Sequence, residues 1–244
     1  MSKQINTDNM HNIRKALGIK RMSSCAICGA GYYDDEFACC PKCLADIAYE
    51  SLRVCRHCGK TADECVCSGA RVRSLMWYRG GTVKRMMFKL KHNADYLLAD
   101  LIAGISADML VSHGISKRVD AVVPIPSRPK DRRFKGYGHA ELLAKHIASK
   151  LNIPYIEALS RSGAKQQKLL SASQRKRAVA LSFKRSNQCC QKQDGTVYDR
   201  ILLIDDITTT GGTLTCCAAL LRKAGVRQVV CFAVAKTPRR KPGR

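Results

Sequence analysis

The sequence predicts an α/β protein with a mainly parallel sheet and flanking helices, preceded by a small cysteine-rich module. Three observations carry this. Segments of strand and helix period alternate from residue 71 to residue 235. An apolar strand, two carboxylates, a Thr/Gly loop and a helix follow one another between 200 and 224. Nine of the fourteen cysteines fall between Cys25 and Cys67.

The elements follow in order. Residues 1–22 read as a polar leader, with a helical turn expected around 11–17. Residues 23–70 are the cysteine-rich module, too poor in aliphatic residues to fold on an apolar core alone. Residues 71–117 form a strand–helix connector. Its strand, 71–78, is ended by Gly80 and Gly81. A helix over 82–90 places Val83, Met86, Met87 and Leu90 at helical spacing, and a strongly apolar helix covers 96–111. Residues 118–236 are the core. It starts with a strand at 121–125, stopped by Pro124 and Pro126, and continues with a helix at 141–151 and a basic, polar loop at 160–177. A buried strand at 200–204, a helix at 213–224 capped by Gly225, and a strand at 228–235 complete it. Residues 237–244 are a basic tail.

With 244 residues and 45% hydrophobic content, the chain can bury one sizeable core beside a smaller module. The polar start carries no secretory pattern, and no apolar run reaches the roughly 18–20 residues that span a bilayer. A cytoplasmic protein is expected. The formal net charge of +24 points to a polyanionic partner, either a phosphorylated small molecule or nucleic acid. The excess is larger than one small phosphate ligand requires, although basic residues also serve as plain solvated surface.

The cysteines come in pairs: Cys25 and Cys28, Cys40 and Cys43, Cys55 and Cys58, Cys65 and Cys67. Three pairs have the two-residue spacer of a zinc knuckle, and Gly29 and Gly59 follow where such a turn needs them. One or two structural zinc ions are expected, because four thiolates leave no open coordination position. The sequential partition, Cys25/Cys28/Cys40/Cys43 and Cys55/Cys58/Cys65/Cys67, is the simpler one, and an interleaved one stays open. Cys39 competes with Cys40, and His57 is an alternative ligand. Disulfides are disfavoured without a secretory signal. Cys216, Cys217 and Cys231 read as small core residues.

The stretch from Arg200 to Thr215 reads RILLIDDITTTGGTLT. Its Ile/Leu run makes a strand buried on both faces, and Asp205 and Asp206 follow at its C-terminal end, the edge where open α/β sheets bind ligands. Backbone N–H groups of the Thr/Gly loop and the helix N-terminus make a cradle for phosphate. Gly211 and Gly212 allow close approach, and Thr209, Thr210 and Thr213 add hydroxyls. Carboxylates repel phosphate, so the acidic pair must face ribose hydroxyls or a divalent cation. One ligand combining a 5-phosphate, free 2- and 3-hydroxyls and a metal-bound pyrophosphate is 5-phosphoribosyl-1-pyrophosphate (PRPP).

LLIDDITTTGGT is similar to the PRPP-binding motif of type I phosphoribosyltransferases. That resemblance implies a type I phosphoribosyltransferase-like sheet. It makes Asp205 and Asp206 the ribose-binding and catalytic carboxylates. Thr208, Thr209, Thr210, Gly211, Gly212 and Thr213 would hold the 5-phosphate, with Mg²⁺ sitting mainly on PRPP oxygens and water. From about Cys25 onward the chain also resembles the ComF family of competence-associated phosphoribosyltransferase-like proteins. The resemblance runs through the cysteine ribbon, Tyr78-Arg79-Gly80, Phe88-Lys89-Leu90-Lys91, the strand VVPIPSRP, the segment Arg132-Arg133-Phe134-Lys135-Gly136-Tyr137, and Gln167, Leu170 and Arg175. It implies a pyrophosphate loop at 126–138 with Ser127, Arg128, Arg132, Arg133 and Lys135, and a lid with Arg161, Gln167 and Arg175. The family's Arg-Gly-Phe-Asn-Gln appears here as Lys135-Gly136-Tyr137-Gly138-His139, and its loop Asn is Ala178. Lys for Arg loses a bidentate fork, and Gly for Asn loses an amide, which weakens turnover more than binding.

Three functions compete. The favoured expectation is a PRPP-binding protein of DNA uptake and natural transformation, as the family resemblance implies, with a basic surface for single-stranded DNA and contacts to uptake proteins. Trp77, Tyr78, Phe88, Phe134 and Tyr137 lie near basic residues, where they either stack bases or pack in the core. The second is an active phosphoribosyltransferase that transfers to an unidentified acceptor and releases pyrophosphate. The third is a zinc-ribbon interaction module on a degenerate transferase fold. Type I phosphoribosyltransferases are often dimers, which leaves a homodimer open.

Overall fold

The apolar run Ile201, Leu202, Leu203 and Ile204 is fully buried, because helices cover both faces of the strand that carries it. The computed structural model describes residues 22–33, 38–52, 72–93, 95–129, 136–161, 183–185, 190–192 and 194–238. The elements are β1 (Met22–Ser24), β2 (Gly31–Tyr33), α1 (Pro41–Leu52), β3 (Val72–Trp77), α2 (Gly81–Asn93), α3 (Tyr96–Ser112), β4 (Ala121–Pro124), α4 (His139–Leu151), β5 (Leu159–Arg161), β6 (Phe183–Arg185), β7 (Arg200–Thr208), α5 (Gly212–Lys223) and β8 (Gln228–Lys236).

The main sheet runs β3-β8-β7-β4, every pairing parallel. An isolated parallel bridge, Val122 with Tyr155, adds a residue beyond β4. Strand pleating divides the core. Leu202, Ile204 and Phe232 join Met86, Met87 and Leu90 of α2, Leu98 and Ile102 of α3, and Leu143 and Ile147 of α4. Ile201, Leu203 and Cys231 join Leu214, Cys217, Ala218 and Leu221 of α5. The α/β class expected from the sequence is therefore present, with helices on both faces of a parallel sheet.

Helix ends follow local chemistry. Asp95 caps α3 by accepting a hydrogen bond from the Leu98 N–H at 3.0 Å. α4 ends on Asn152 in the left-handed region, φ 52°.

The cysteine-rich segment supplies an antiparallel β1–β2 pair and α1. Pro41 at the first helical position and Leu44, Ile47 and Ala48 at helical spacing explain α1, which the sequence reading passed over. This segment does not build its core alone. Ile27 and Ile47 are buried in the same cluster as Leu75, Met76 and Val83. Polar ties reinforce the packing: the Thr82 hydroxyl donates to Asp46 at 2.6 Å, and Arg79 pairs with Glu50 at 3.1 Å.

Four expectations change. β7 continues beyond 204 through Asp205 and Asp206 to Thr208, because β8 runs alongside it as far as Lys236, whereas β4 stops at Pro124 opposite Ile204. Residues 160 and 161 are not loop but the end of β5, paired antiparallel with β6. The last helix ends one residue earlier than expected, with Ala224 rather than Gly225 as its cap. Cys216 is only half-buried, whereas Cys217 and Cys231 are core residues. The leader at 1–21 and the tail beyond residue 238 lie outside the described residues.

Candidate functional site

The site forms where β7 meets α5. In the register of β4 with β7, Pro124 stands beside Ile204, and the Ile125 N–H donates to the Ile204 carbonyl at 2.8 Å. Ser127 and Arg128 therefore leave β4 at the edge that carries Asp205 and Asp206. Both carboxylates are half-buried. The Asp206 N–H donates to Asp205 Oδ1 at 2.9 Å, and the Ile207 N–H donates to Asp206 Oδ1 at 2.7 Å. Alternation along the strand puts Asp206 on the face of Leu202 and Ile204, which α2 covers. There Lys91 Nζ approaches Asp206 Oδ2 to 3.1 Å. Burial, and then the neighbouring Asp206 charge, push the Asp205 carboxyl well above the ordinary carboxylate range, against the opposing pull of the Asp206 N–H and Lys91.

Thr208 is buried, and its carbonyl accepts the Thr237 N–H at 2.8 Å. The chain then turns outward: Thr209 and Thr210 are exposed, and Thr213 is half-buried in the first turn of α5. Gly211 precedes α5 with φ 76°, and a Cβ there would stand 2.8 Å from Val72 Cγ2. Only glycine meets both demands. The Gly212 N–H points to Thr210 Oγ1 at 3.4 Å, and the Thr215 hydroxyl donates to the Gly211 carbonyl at 3.0 Å. No side chain caps α5, so its N-terminal dipole and N–H groups face the loop.

Other expected positions are less convergent. Ser127 donates its backbone N–H towards Glu141 Oε1 at 3.5 Å, and Arg128 is exposed. Glu141 is buried and was not singled out in the sequence. A Cβ on Gly138 would run into the Ser127 hydroxyl and stand 2.6 Å from the Glu141 carboxyl carbon, so a larger residue there requires both side chains to move. Arg161 lies on β5 with its guanidinium 4.9 Å from the Phe183 ring centroid. Arg132, Arg133, Lys135, Gln167 and Arg175 fall outside the described residues.

A second constellation lies in the cysteine-rich segment. The Sγ atoms of Cys25, Cys28, Cys40 and Cys43 all lie within 4.8 Å of one another. Cys28 and Cys40 Sγ are 3.7 Å apart, close to the edge of about 3.8 Å expected of a tetrahedron with Zn–S bonds of about 2.3 Å. The turn after Cys25 has the knuckle form: the N–H groups of Ile27 and Cys28 each point to Cys25 Sγ at 3.4 Å, and Gly29 takes φ 81°. Burial would raise the Cys25 thiol. The hydrogen bonds from Cys28, Cys40 and Ile27 outweigh it and pull the thiol down to about 6. Cys39 stays out of the group; burial and then the neighbouring thiolates raise it to about 11. This donor set fits a structural zinc ion. Cys55, His57, Cys58, Cys65 and Cys67 lie outside the described residues.

Among the aromatics, Trp77 is buried and Tyr137 bonds the Leu90 carbonyl. Phe88 is 60% exposed on α2, beside exposed Lys84, Arg85 and His92. Phe134 lies outside the described residues. Among the described residues no helix is long and apolar enough to cross a membrane.

No family model matches the chain. It is 26% identical over 209 residues to Competence protein F of Haemophilus influenzae, covering 82% of this chain and 86% of that one. It is also 26% identical over 197 residues to Competence protein ComFC of Streptococcus pneumoniae, covering 81% and 80%. A stretch of 43 residues is 54% identical to the adenine phosphoribosyltransferase of Borreliella burgdorferi, spanning 17% of this chain and 24% of that enzyme. Among solved structures, the adenine phosphoribosyl transferase of Trypanosoma brucei overlays with a TM-score of 0.37 at 15% identity, over 64% of this chain and 75% of that one. A hypoxanthine phosphoribosyltransferase from Staphylococcus aureus gives 0.36 at 12%, over 59% and 68%. Scores this low leave the fold to rest on the sheet order and packing described above.

Proposed function

Because the chain is a homologue of Competence protein F and ComFC along about four-fifths of its length, we propose that it is a PRPP-binding, phosphoribosyltransferase-like protein of the ComF type. In this reading it acts in the cytoplasm in DNA uptake and natural transformation. The observation that carries the reading is β7, whose half-buried acidic pair runs directly into the Thr/Gly loop and the uncapped N-terminus of α5.

Each residue has a task in this reading. Asp206 accepts hydrogen bonds from ribose hydroxyls. Asp205, beside it on β7, bonds the same diol. Thr209, Thr210 and Thr213 and the N–H groups from Gly211 onward hold the 5-phosphate. Ser127 and Arg128, with Arg132, Arg133 and Lys135, receive the pyrophosphate. Mg²⁺, brought with PRPP, supplies charge neutralisation at the pyrophosphate. Arg161, Gln167 and Arg175 belong to the lid. Zinc at Cys25, Cys28, Cys40 and Cys43, and in a second set at Cys55, Cys58, Cys65 and Cys67, is structural. If an acceptor nucleophile is admitted, the same groups serve phosphoribosyl transfer with loss of pyrophosphate. Single-stranded DNA is assigned to the basic surface, where Lys84, Arg85 and Phe88 combine charge with an exposed ring.

Calorimetric titration of Mg²⁺–PRPP into the zinc-loaded protein tests the ligand. Binding that disappears in the Asp205→Asn/Asp206→Asn variant supports the site. No binding to the folded wild type rejects it.

A further inference from the structure

The acidic pair already has a cation. Lys91 lies in the last turn of α2, and its Nζ is 3.1 Å from Asp206 Oδ2, the two side chains being 33% and 15% exposed. At that depth a charge pair is screened less than on open surface. The lysine is also held in place from behind. Tyr137 Oη donates to the Leu90 carbonyl at 3.2 Å, and His139 Nε2 lies 2.9 Å from the Lys91 carbonyl, where its N–H form donates. The two rings meet edge to face, centroids 5.6 Å apart. The last carbonyls of a helix have no partner within it, so this grip both caps α2 and fixes where Lys91 starts. Tyr137 and His139 stand where the family pattern has Phe and Gln. The hydroxyl that Phe lacks is the atom that reaches Leu90.

An ammonium and a sugar hydroxyl cannot share one carboxylate oxygen at full strength. Resting on the PRPP reading, we propose that Lys91 is a specificity-determining residue of this site: it guards Asp206 in the ligand-free protein and yields to ligands that bring an anionic group for the released ammonium. Ribose 5-phosphate, uncharged at C1, gains the Asp206 contact only by displacing a half-buried ammonium for which it brings no new anionic partner at that end of the site. PRPP offers the pyrophosphate as a new partner. Tyr137 and His139 are positioning residues that act through the end of α2.

The test compares the affinities of PRPP and ribose 5-phosphate, each with Mg²⁺, by calorimetry. Lys91→Met and Lys91→Gln are used together, so that a folding defect in one leaves the other to report. A charge-assisted contact predicts that both lower the preference for PRPP by about tenfold or more, while Lys91→Arg keeps most of it. His139→Ala lowers the same ratio in part, and His139→Gln, whose amide can donate to the Lys91 carbonyl, restores it. An unchanged ratio in the Met and Gln variants, with PRPP binding still abolished by Asp205→Asn/Asp206→Asn, overturns this inference and leaves the functional reading standing. A folded wild type that takes neither sugar phosphate rejects both.

Discussion

Val72 of β3 shares a core with Leu214 of α5, and its Cγ2 lies 2.8 Å from where a Cβ on Gly211 would stand. The glycine is thus fixed twice, by contact and by its φ of 76°. Gly211→Ala is expected to cost about 1–3 kcal/mol in stability. Adding Val72→Ala should return the steric share and leave the backbone share. Denaturant melts of the two single variants and the double variant measure this; strictly additive losses would show that the contact contributes nothing.

Asp205 sets a pH dependence with a definite sign. Its carboxyl is raised in the folded state by burial and by Asp206. It therefore favours folding while protonated, fully so below the ordinary carboxylate range, and that contribution is lost as pH rises through the raised value. Asn mimics the protonated form. Asp205→Asn should raise the melting temperature by a few degrees near neutral pH, with the gain shrinking towards about pH 4. Melting curves across that range decide it, and a loss of stability at neutral pH would contradict the burial argument.

Removing zinc should damage more than the cysteine turn. Ile27 and Ile47 share the core with Leu75 and Val83, so losing the knuckle opens that side of the molecule. A chelator, or Cys25→Ser, is expected to lower the melting temperature and speed amide exchange in α1 and in the first turns of α2. Unchanged exchange there would mean that packing alone holds the segment.

Phe88 offers a direct test of nucleic-acid binding. Stacking of a base on an aromatic side chain contributes about 1–3 kcal/mol, so Phe88→Ala should weaken single-stranded DNA binding by roughly five- to a hundredfold. Lys84→Ala/Arg85→Ala should instead flatten the salt dependence. Fluorescence anisotropy at several salt concentrations separates the two effects; undetectable binding of wild type at low salt removes DNA from the proposal.

Legibility in the sequence followed the range of the interaction. The β7 run, the Thr/Gly loop and the helix after it are written in consecutive residues. Cys25, Cys28, Cys40 and Cys43 were picked out by spacing, and the structure brings them together. The helix α1 was hidden behind the cysteine pairs, although Pro41 and the spacing of Leu44, Ile47 and Ala48 announced it. The Lys91–Asp206 pair had no local signal, because it exists only once α2 packs on the face of the sheet that holds Asp206. The same holds for Tyr137 and His139. In the sequence they are only two residues of the segment around Gly136 and Gly138, while in the fold they reach backbone carbonyls at the end of α2.

α2 touches three parts of the molecule along its length. Thr82 at its start bonds Asp46 of α1, Lys89 reaches the Ala26 carbonyl inside the cysteine knuckle at 2.8 Å, and Lys91 meets Asp206. Two lysines one residue apart from a shared neighbour, Leu90, thus point to the metal turn and to the acidic pair. If zinc fills the cysteine turn and the acidic pair takes the proposed ligand, any free energy that one of them contributes through α2 must, by reciprocity, appear in the affinity for the other.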